Sequence, residues 1–286
     1  MENQRYVVYD TWNEEISNKH KAVSIEAEEA RRNAAAKEAE RRLKAPNYAD
    51  YGDFYFLAYD DAFFEQLKGA DLLRILYLAS YMQYSSKGYI LKVTNKMLNK
   101  QDCQAYLCLG KTAFHEFWKR CASLGIVKED EGGHVVLSEA YFYKGTLTKK
   151  IRNRYQKMIR INIAAVRALY KTNDDNGHKK LAYLYQLIPY TETENNAVRV
   201  WSSADQEEKY PTAAQISEIL GCDMRTWRRL KKWYAEICVE HKGKAQPLAR
   251  TFQNSQNENI IIINPNLFYA GDSYKKVLEL IDISST

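Results

Sequence analysis

Apolar residues recur at one helical spacing in two separate places of this chain of 286 residues. The positions i, i+3, i+7 and i+10 are filled by Phe114, Phe117, Cys121 and Leu124 in the first place and by Trp227, Leu230, Tyr234 and Ile237 in the second. This spacing puts the side chains on one face of a helix. The pattern therefore predicts two amphipathic helices of the same design, which is typical of an internal repeat.

The ends of the two copies also match. Residues 142–145 read Phe-Tyr-Lys-Gly and residues 268–271 read Phe-Tyr-Ala-Gly, and each phrase follows an apolar run that is typical of a strand, at 135–137 and 260–263. Each copy is thus predicted to run helix, turn, helix, hairpin and closing aromatic. That order is the outline of a winged helix-turn-helix module.

We therefore predict a mainly α fold with small β-wings, made of two winged helix-turn-helix domains and an N-terminal helical arm. The predicted boundaries are 1–50 for a charged arm, 51–147 for the first domain, 148–172 for a basic linking helix and 173–286 for the second domain. The arm is expected to be helical because residues 14–45 are rich in Ala, Glu, Lys and Arg. It is either a solvated helix or an arm that joins two copies into a homo-oligomer.

Charge and cysteine content narrow the class of protein. The formal net charge is +6, and residues 1–50 hold nine Lys/Arg against ten Asp/Glu, so the remainder carries +6 − (−1) = +7. A basic body of this kind favours a polyanionic partner. Five cysteines, an odd number placed in helical patterns, are typical of reduced thiols in a cytoplasm. The sequence contains no stretch typical of a membrane span or a signal peptide, so we expect no membrane partner.

The helix of the second copy is the strongest candidate site. Opposite its apolar face, the sequence places a set of polar and cationic residues at helical spacing: Arg225, Thr226, Arg228, Arg229 and Lys232. A helix that is anchored by apolar residues and presents cations outward suits the major groove of double-stranded DNA, where Arg binds guanine edges. The alternative is an ordinary solvated basic face.

The matching face of the first copy is less basic. Its candidate DNA-contacting residues are Lys111, Thr112, His115 and Lys119, while Glu116 takes the position that Arg229 has in the second copy. The alternative is a module kept for packing or for contact with another protein.

Two further groups of cations are candidates for contact with the DNA backbone. The linking segment, residues 148–172, contributes Lys149, Lys150, Arg152 and Arg154, and the second wing contributes Lys242 and Lys244. Cations that follow the phosphates add affinity without sequence choice. The alternatives are a helix whose apolar stripe packs on a core and loop lysines that are simply solvated.

No arrangement typical of an enzyme was found. The sequence has no Gly-rich phosphate loop, no Gly-x-Ser-x-Gly elbow and no Cys-x-x-Cys pair. Its one metal-like group is Cys103, Cys108, His115 and Cys121, whose spacing does not match a structural zinc site. We expect a protein that is not an enzyme and that needs no cofactor or metal.

Two short phrases carry a family resemblance. Residues 76–82, Leu-Tyr-Leu-Ala-Ser-Tyr-Met, and residues 264–271, Asn-Pro-x-x-Phe-x-x-Gly, resemble the winged-helix replication initiator and regulatory proteins of Gram-positive plasmids and phages. The first copy has Ser138-Glu139 in place of Asn-Pro but keeps Phe142 and Gly145.

The resemblance implies a double-stranded DNA-binding protein of a mobile element that acts in replication initiation or transcription regulation. Replication or transcription machinery would be a further partner, and the place of action would be the cytoplasm or nucleoid of a host bacterium. The alternative function is a protein-interaction module on the same scaffold that binds host machinery, which Glu116 and the acidic N-terminal arm favour.

Overall fold

The computed structural model describes residues 6–8, 22–24, 29–30, 33, 52–59, 61–67, 69–85, 88–146, 148–154, 157–202, 206–254, 258–271 and 274–282. The chain divides into two compact units, Met1–Asn47 and Tyr48–Thr286. We call the second the main unit.

In the unit Met1–Asn47, strand β1 (Tyr6–Val8) pairs antiparallel with strand β2 (Ala22–Ser24), with Val7 opposite Val23. The predicted helical arm is therefore wrong over residues 22–24, where a β-branched residue and a paired strand outweigh the helix propensity of the flanking sequence. Residues 29, 30 and 33 are helical and exposed. The rest of the predicted arm, and any oligomer contact it makes, lies outside the described residues.

The helices of the main unit are α1 (Asp61–Gln66), α2 (Ala70–Ala79), α3 (Lys100–Leu107), α4 (Lys111–Ser123), α5 (Lys149–Arg154), α6 (Ile163–Thr172), α7 (Asp175–Tyr185), α8 (Ala213–Leu220), α9 (Met224–Glu236) and α10 (Tyr274–Asp282). Its strands are β3 (Phe54–Ala58), β4 (Met82–Ser85), β5 (Gly88–Val93), β6 (Lys96–Met97), β7 (Val127–Glu129), β8 (Val135–Leu137), β9 (Phe142–Tyr143), β10 (Met158–Asn162), β11 (Val200–Ser202), β12 (Glu207–Lys209), β13 (Cys238–His241), β14 (Lys244–Pro247), β15 (Ala249–Gln253), β16 (Asn259–Ile263) and β17 (Phe268–Tyr269).

This is a mixed α/β fold, so the prediction of a mainly α fold with small wings is wrong. Helices hold 45% and strands 29% of the described residues, and the strands of the main unit form five sheets. The largest sheet runs β4-β5-β8-β7, with β6 paired to β5. Many of the strands are short and lie in segments whose sequence lacks a long alternating pattern, and tertiary pairing decides their conformation.

A four-stranded antiparallel sheet in the order β17-β10-β3-β9 joins the two copies of the repeat. The central strands β3 and β10 pair along their full length, with Phe56 opposite Arg160. At one edge Phe142 lies opposite Leu57, and at the other Phe268 lies opposite Ile161. The closing phrases of both copies thus end in the same sheet, each paired to the strand that precedes the helices of its own copy.

Strand β10 lies in the middle of the linking segment, where one basic helix is predicted over 148–172. That helix is wrong over residues 158–162, although α5 and α6 lie on either side. Ile159 and Ile161 are buried, and a central position between two strands satisfies the backbone of β10 on both sides. Arg160 is buried as well: its Nη1 donates to the Gly271 carbonyl at 2.6 Å. Burial of β-branched residues here outweighs the helix propensity of the surrounding cations.

The main apolar core of the described residues runs through both copies, and a smaller cluster packs around Tyr274 and Val277 of α10. Where the two copies meet, Tyr77 of α2 stacks on Tyr170 of α6 with centroids 4.0 Å apart, and Tyr170 stacks on His178 of α7 at 4.2 Å. Arg167 of α6 donates to the Ser80 carbonyl at 2.6 Å. The two predicted domains therefore share their main core, whereas the module boundaries at 147/148 and 172/173 stay predictions.

The burial of Trp227 gives a stability prediction. Its side chain is 0% exposed, as the helical pattern predicts, so Trp227→Ala should lower the free energy of unfolding by about 3–5 kcal/mol, the usual effect of deleting a large buried aromatic. Urea unfolding followed by tryptophan fluorescence and circular dichroism measures this. Because the core is continuous, Phe114→Ala should destabilise the same single transition.

The matched control is Trp201→Ala. Trp201 is 63% exposed, so its loss should change the free energy of unfolding by less than about 0.5 kcal/mol. Two separate transitions in Phe114→Ala, one of them at the wild-type urea midpoint, would contradict the single core.

Candidate nucleic-acid interface

Helices α8 and α9 are joined by a three-residue turn whose ends are both capped. The Gly221 residue that ends α8 has φ 62°, a left-handed conformation that glycine adopts without strain. The Asp223 carboxylate then accepts a hydrogen bond from the Thr226 amide at 2.6 Å and so begins α9. At the other end, Thr212 and Gln215 form a reciprocal capping box at the start of α8. These caps therefore fix the direction of α9 relative to α8.

The inner face of α9 anchors it to the core. Trp227, Leu230 and Tyr234 are buried, as predicted from their spacing, whereas the fourth predicted residue, Ile237, is half-buried and follows the end of the helix. The Tyr234 hydroxyl donates to the Lys180 carbonyl of α7 at 2.8 Å, and burial raises the pKa of Tyr234 well above its usual value. The tyrosine therefore stays a neutral donor, and it ties α9 to the helix behind it.

The outer face of α9 is strongly basic. Arg225, Arg228, Arg229 and Lys232 are all exposed. Among the described residues, no carboxylate lies within 4.0 Å of the three arginine guanidinium groups, and only Lys232 has an acidic partner, Glu236 at 3.8 Å. The sequence pattern and the structure thus agree on the position of these four cations.

Two neighbours of this face are held by the fold. Thr226 is half-buried, and both its amide and its side chain form hydrogen bonds with the capping Asp223 carboxylate. The Lys231 ammonium donates to the Asn259 side chain of β16 at 3.4 Å. Lys231 therefore links α9 to the β15–β16 hairpin.

The corresponding helix α4 has the same inner face but a different outer one. Its candidate residues Lys111, Thr112, His115 and Lys119 are all exposed. A fifth outward residue, Glu116, lies 3.9 Å from Arg120, which in turn contacts the buried Asp71 of α2 at 2.6 Å. The net positive charge of this surface is therefore lower than that of α9.

Trp118 of α4 is a core residue that the periodicity analysis omitted. It is 6% exposed, and Lys100 of α3 lies over its ring at 5.2 Å. Lys231 holds the equivalent position in α9, at the offset of 113 residues that relates the two helices. The hydrophobicity of Trp118 is a signal that could have shown that α4 buries a wider face and exposes a narrower one.

The linking segment places its cations in and before α5. Lys149 and Lys150 are exposed, and the Arg154 guanidinium lies 3.8 Å from the Glu139 carboxylate. Arg152 lies within α5, but its side chain is outside the described set. The buried Arg160 is not available to phosphates, so only the N-terminal part of the segment is a candidate for them.

The chain between α9 and the closing strand forms two hairpins, β13–β14 and β15–β16, rather than the single long wing that the sequence predicts. Lys242 and Gly243 make the two-residue turn of the first, with φ 50° and 76°, and Lys242 and Lys244 are exposed there. In the second, Arg250 donates to the Ile281 carbonyl of α10 at 3.2 Å.

The phrase that carries the family resemblance is structural. Asn264 is buried; its Nδ2 donates to the Pro247 carbonyl at 2.8 Å, and its Oδ1 accepts from the Asn266 amide at 2.9 Å. A Cβ atom at Gly271 would lie 1.7 Å from the Thr193 carbonyl oxygen, so only glycine fits there. These residues close the fold and do not form part of the basic surface.

In the part of the chain that the structure describes, no group of three or more His, Cys, Asp or Glu side chains is placed to hold a metal ion. Of the metal-like group, Cys103 and Cys121 are buried, whereas Cys108 and His115 are exposed. None of the described helices has the length and apolar character needed to cross a membrane.

No family model, no curated protein and no solved structure matches this chain.

The cap of α9 gives a pH prediction. Hydrogen bonding from the Thr226 amide lowers the pKa of Asp223 below its usual value. Because the unfolded value is about 3.9, the charged cap contributes its full stability above about pH 5 and loses it as the pH falls through the folded-state pKa. Asp223→Ala should therefore reduce the urea midpoint at neutral pH, and its difference from wild type should shrink toward about pH 2.5.

Asp223→Asn is the control, since asparagine caps a helix about as well as aspartate but does not titrate. Its urea midpoint should follow the wild type at neutral pH. A difference between Asp223→Ala and wild type that stays constant down to low pH would refute the role of the charged carboxylate.

Proposed function

We propose that this protein binds double-stranded DNA through the outer face of α9. The observation that carries the proposal is the exposure of Arg228 and Arg229, without acidic partners among the described residues, on a helix anchored by the buried Trp227. Arg225 is exposed on the same face, and its charge also acts on the capping Asp223 carboxylate. Arginine forms bidentate hydrogen bonds with guanine in the major groove, which is wide enough for one helix.

The rigidity of α9 supports a role in recognition. Its N-terminus is capped by Asp223, its inner face is buried, and the Tyr234 hydroxyl ties it to α7. A helix held in this way keeps its arginines in one arrangement before DNA arrives, so less conformational entropy is lost on binding. The lower net charge of α4 makes it the weaker candidate, and we assign the principal duplex contact to α9.

The exposed lysines outside α9 complete the proposal. Lys149 and Lys150 of α5, and Lys242 and Lys244 of the β13–β14 hairpin, carry charge that suits phosphate oxygens. Contacts of this kind hold a protein on DNA without selecting a sequence.

We further propose that the protein belongs to a mobile element of a bacterium, and that it acts in replication initiation or transcription regulation in the host cytoplasm. This part of the proposal is supported by the resemblance of residues 76–82 and 264–271 to plasmid and phage replication proteins. The replication or transcription machinery would then be its protein partner.

The α9 assignment predicts the effect of single substitutions. Arg228→Ala or Arg229→Ala should cost roughly 1–3 kcal/mol, about 5- to 150-fold in Kd, and should relax the base preference at one position. The measurement is fluorescence anisotropy with a duplex that the wild-type protein has selected from a random pool, together with single-base variants of that duplex.

Lys179→Ala is the control, since Lys179 is an exposed cation on α7. It should leave both the affinity and the base preference unchanged. If both arginine variants bind the selected duplex as the wild type does, α9 does not read DNA.

The linking segment predicts a different kind of effect. Replacing Lys149 and Lys150 with Gln should weaken binding to selected and random duplexes alike, because phosphates are the same in every sequence. Each lost contact should flatten the slope of log K against log salt by roughly one unit. The test is a titration at several salt concentrations.

The matched control replaces Lys171 and Lys179 with Gln, which removes two exposed cations elsewhere. Loss of discrimination between sequences with an unchanged salt slope would mean that Lys149 and Lys150 contact bases instead.

A further inference from the structure

A second candidate site lies between the first copy and α5, on the helix that also carries Lys149 and Lys150 but apart from the recognition helix α9. It is a cavity of about 410 Å³ lined by Tyr84, Tyr89, Tyr143, Lys144 and Arg154, among others. Its volume falls within the range typical of small-molecule sites. Three aromatic rings, two cations and one carboxylate, that of Glu139, are thus gathered around one opening.

The rings at the cavity are held in place by the surrounding backbone. The Tyr89 hydroxyl accepts a hydrogen bond from the Lys144 amide at 3.0 Å, and the Tyr143 hydroxyl donates to the Thr146 carbonyl at 2.7 Å. Tyr84 packs edge-on against Tyr89 with centroids 5.9 Å apart. The Tyr84 side chain is nevertheless 74% exposed, the most exposed of the large apolar residues that the structure describes.

An exposed aromatic ring beside two fixed ones is a stacking platform. Tyrosine rings in such a position bind the flat face of a nucleobase, and the face of every base is suitable for the purpose.

Lys144 supplies a positive charge next to the aromatic rings. Its side chain is half-buried, and among the described residues its ammonium has no hydrogen bond and no salt bridge. Burial lowers the pKa of Lys144, although the charge of Asp53 acts in the opposite direction. A partly desolvated cation without a partner is stabilised when an anion binds next to it.

Arg154 is available as a second contact for an anion. Its guanidinium lies 3.8 Å from the Glu139 carboxylate, and both side chains are about half exposed. An exposed ion pair of this length contributes little stability, so a phosphate that forms bidentate hydrogen bonds with the arginine can replace the carboxylate.

We propose that this cavity binds a nucleotide, with the base stacked on Tyr84 and the phosphate held by Lys144 and Arg154. The nucleotide is either free or part of a single strand, since both present the same base and phosphate. The site is distinct from α9, and its test does not depend on duplex binding.

The experiment measures fluorescence anisotropy with a labelled oligothymidylate of about 15 nucleotides, which is long enough to cover sites of this class. Tyr84→Ala should raise Kd by roughly 5- to 100-fold, because stacking of one base on an aromatic ring has that value. Tyr84→Trp should restore binding, since it returns a stacking ring. Lys144→Gln should weaken binding and flatten the log–log salt slope by about 0.7.

All variants are also tested in an Arg228→Ala background, which separates this cavity from any single-strand affinity of α9. Tyr190→Ala is the matched control, since Tyr190 is another exposed tyrosine, at 37%, and should leave binding unchanged. Thermal melting of Tyr84→Ala should match the wild type, because the ring is mostly exposed.

Adenosine monophosphate added as a competitor distinguishes the two sources. Competition shows that a free nucleotide suffices, and its absence shows that the site requires a strand. The proposal is overturned if the wild type binds neither ligand, if Tyr84→Ala binds as tightly as wild type, or if Tyr190→Ala loses as much affinity. The proposal that α9 binds duplex DNA is tested separately, by the affinities of Arg228→Ala and Arg229→Ala for duplex DNA.

Discussion

The antiparallel pairing of β3 with β10 is the interaction on which the arrangement of the main unit depends. Strand β3 lies in the first copy and β10 in the linking segment before the second, and each pairs on its other side with the closing strand of the copy that follows it. A strand between two neighbours has its backbone hydrogen bonds satisfied on both sides, which an isolated hairpin cannot achieve. The shared sheet therefore closes each copy and joins the two, and the continuous core around Tyr77, Tyr170 and His178 follows from it.

The two copies show how one scaffold can carry different surfaces. The inner faces of α4 and α9 follow the same spacing, because both must fill a core of similar shape. The outer faces are free of that constraint, so Glu116 stands where α9 has Arg229. The edge of the inner face differs as well, because α4 buries Trp118 where α9 has the half-buried Lys231. Packing therefore preserves the inner pattern of the two helices, whereas the charge of their outer faces differs. Of the two outer faces, that of α9 carries the higher positive charge.

The two proposed sites would recognise DNA through different interactions. Arginines on a fixed helix recognise the hydrogen-bonding edges of paired bases, whereas an exposed tyrosine ring beside an unpaired lysine recognises the face and the phosphate of an unpaired nucleotide. Together they would suit a protein that acts where paired and unpaired DNA meet. That combination is compatible with either role proposed for a mobile element, and single substitutions can separate its two parts.

The sequence by itself determined the local features of the second copy. Periodicity placed Trp227, Leu230 and Tyr234 in the core and the arginines outside. Only the tertiary structure decided the fold class and the single core. Residues 158–162 are a strand because their partners, 54–58 and 268–269, lie far away in the chain, beyond the reach of any local pattern. The site at Tyr84 and Lys144 was equally invisible to periodicity, since a half-buried cation next to an exposed ring arises only when distant segments pack together.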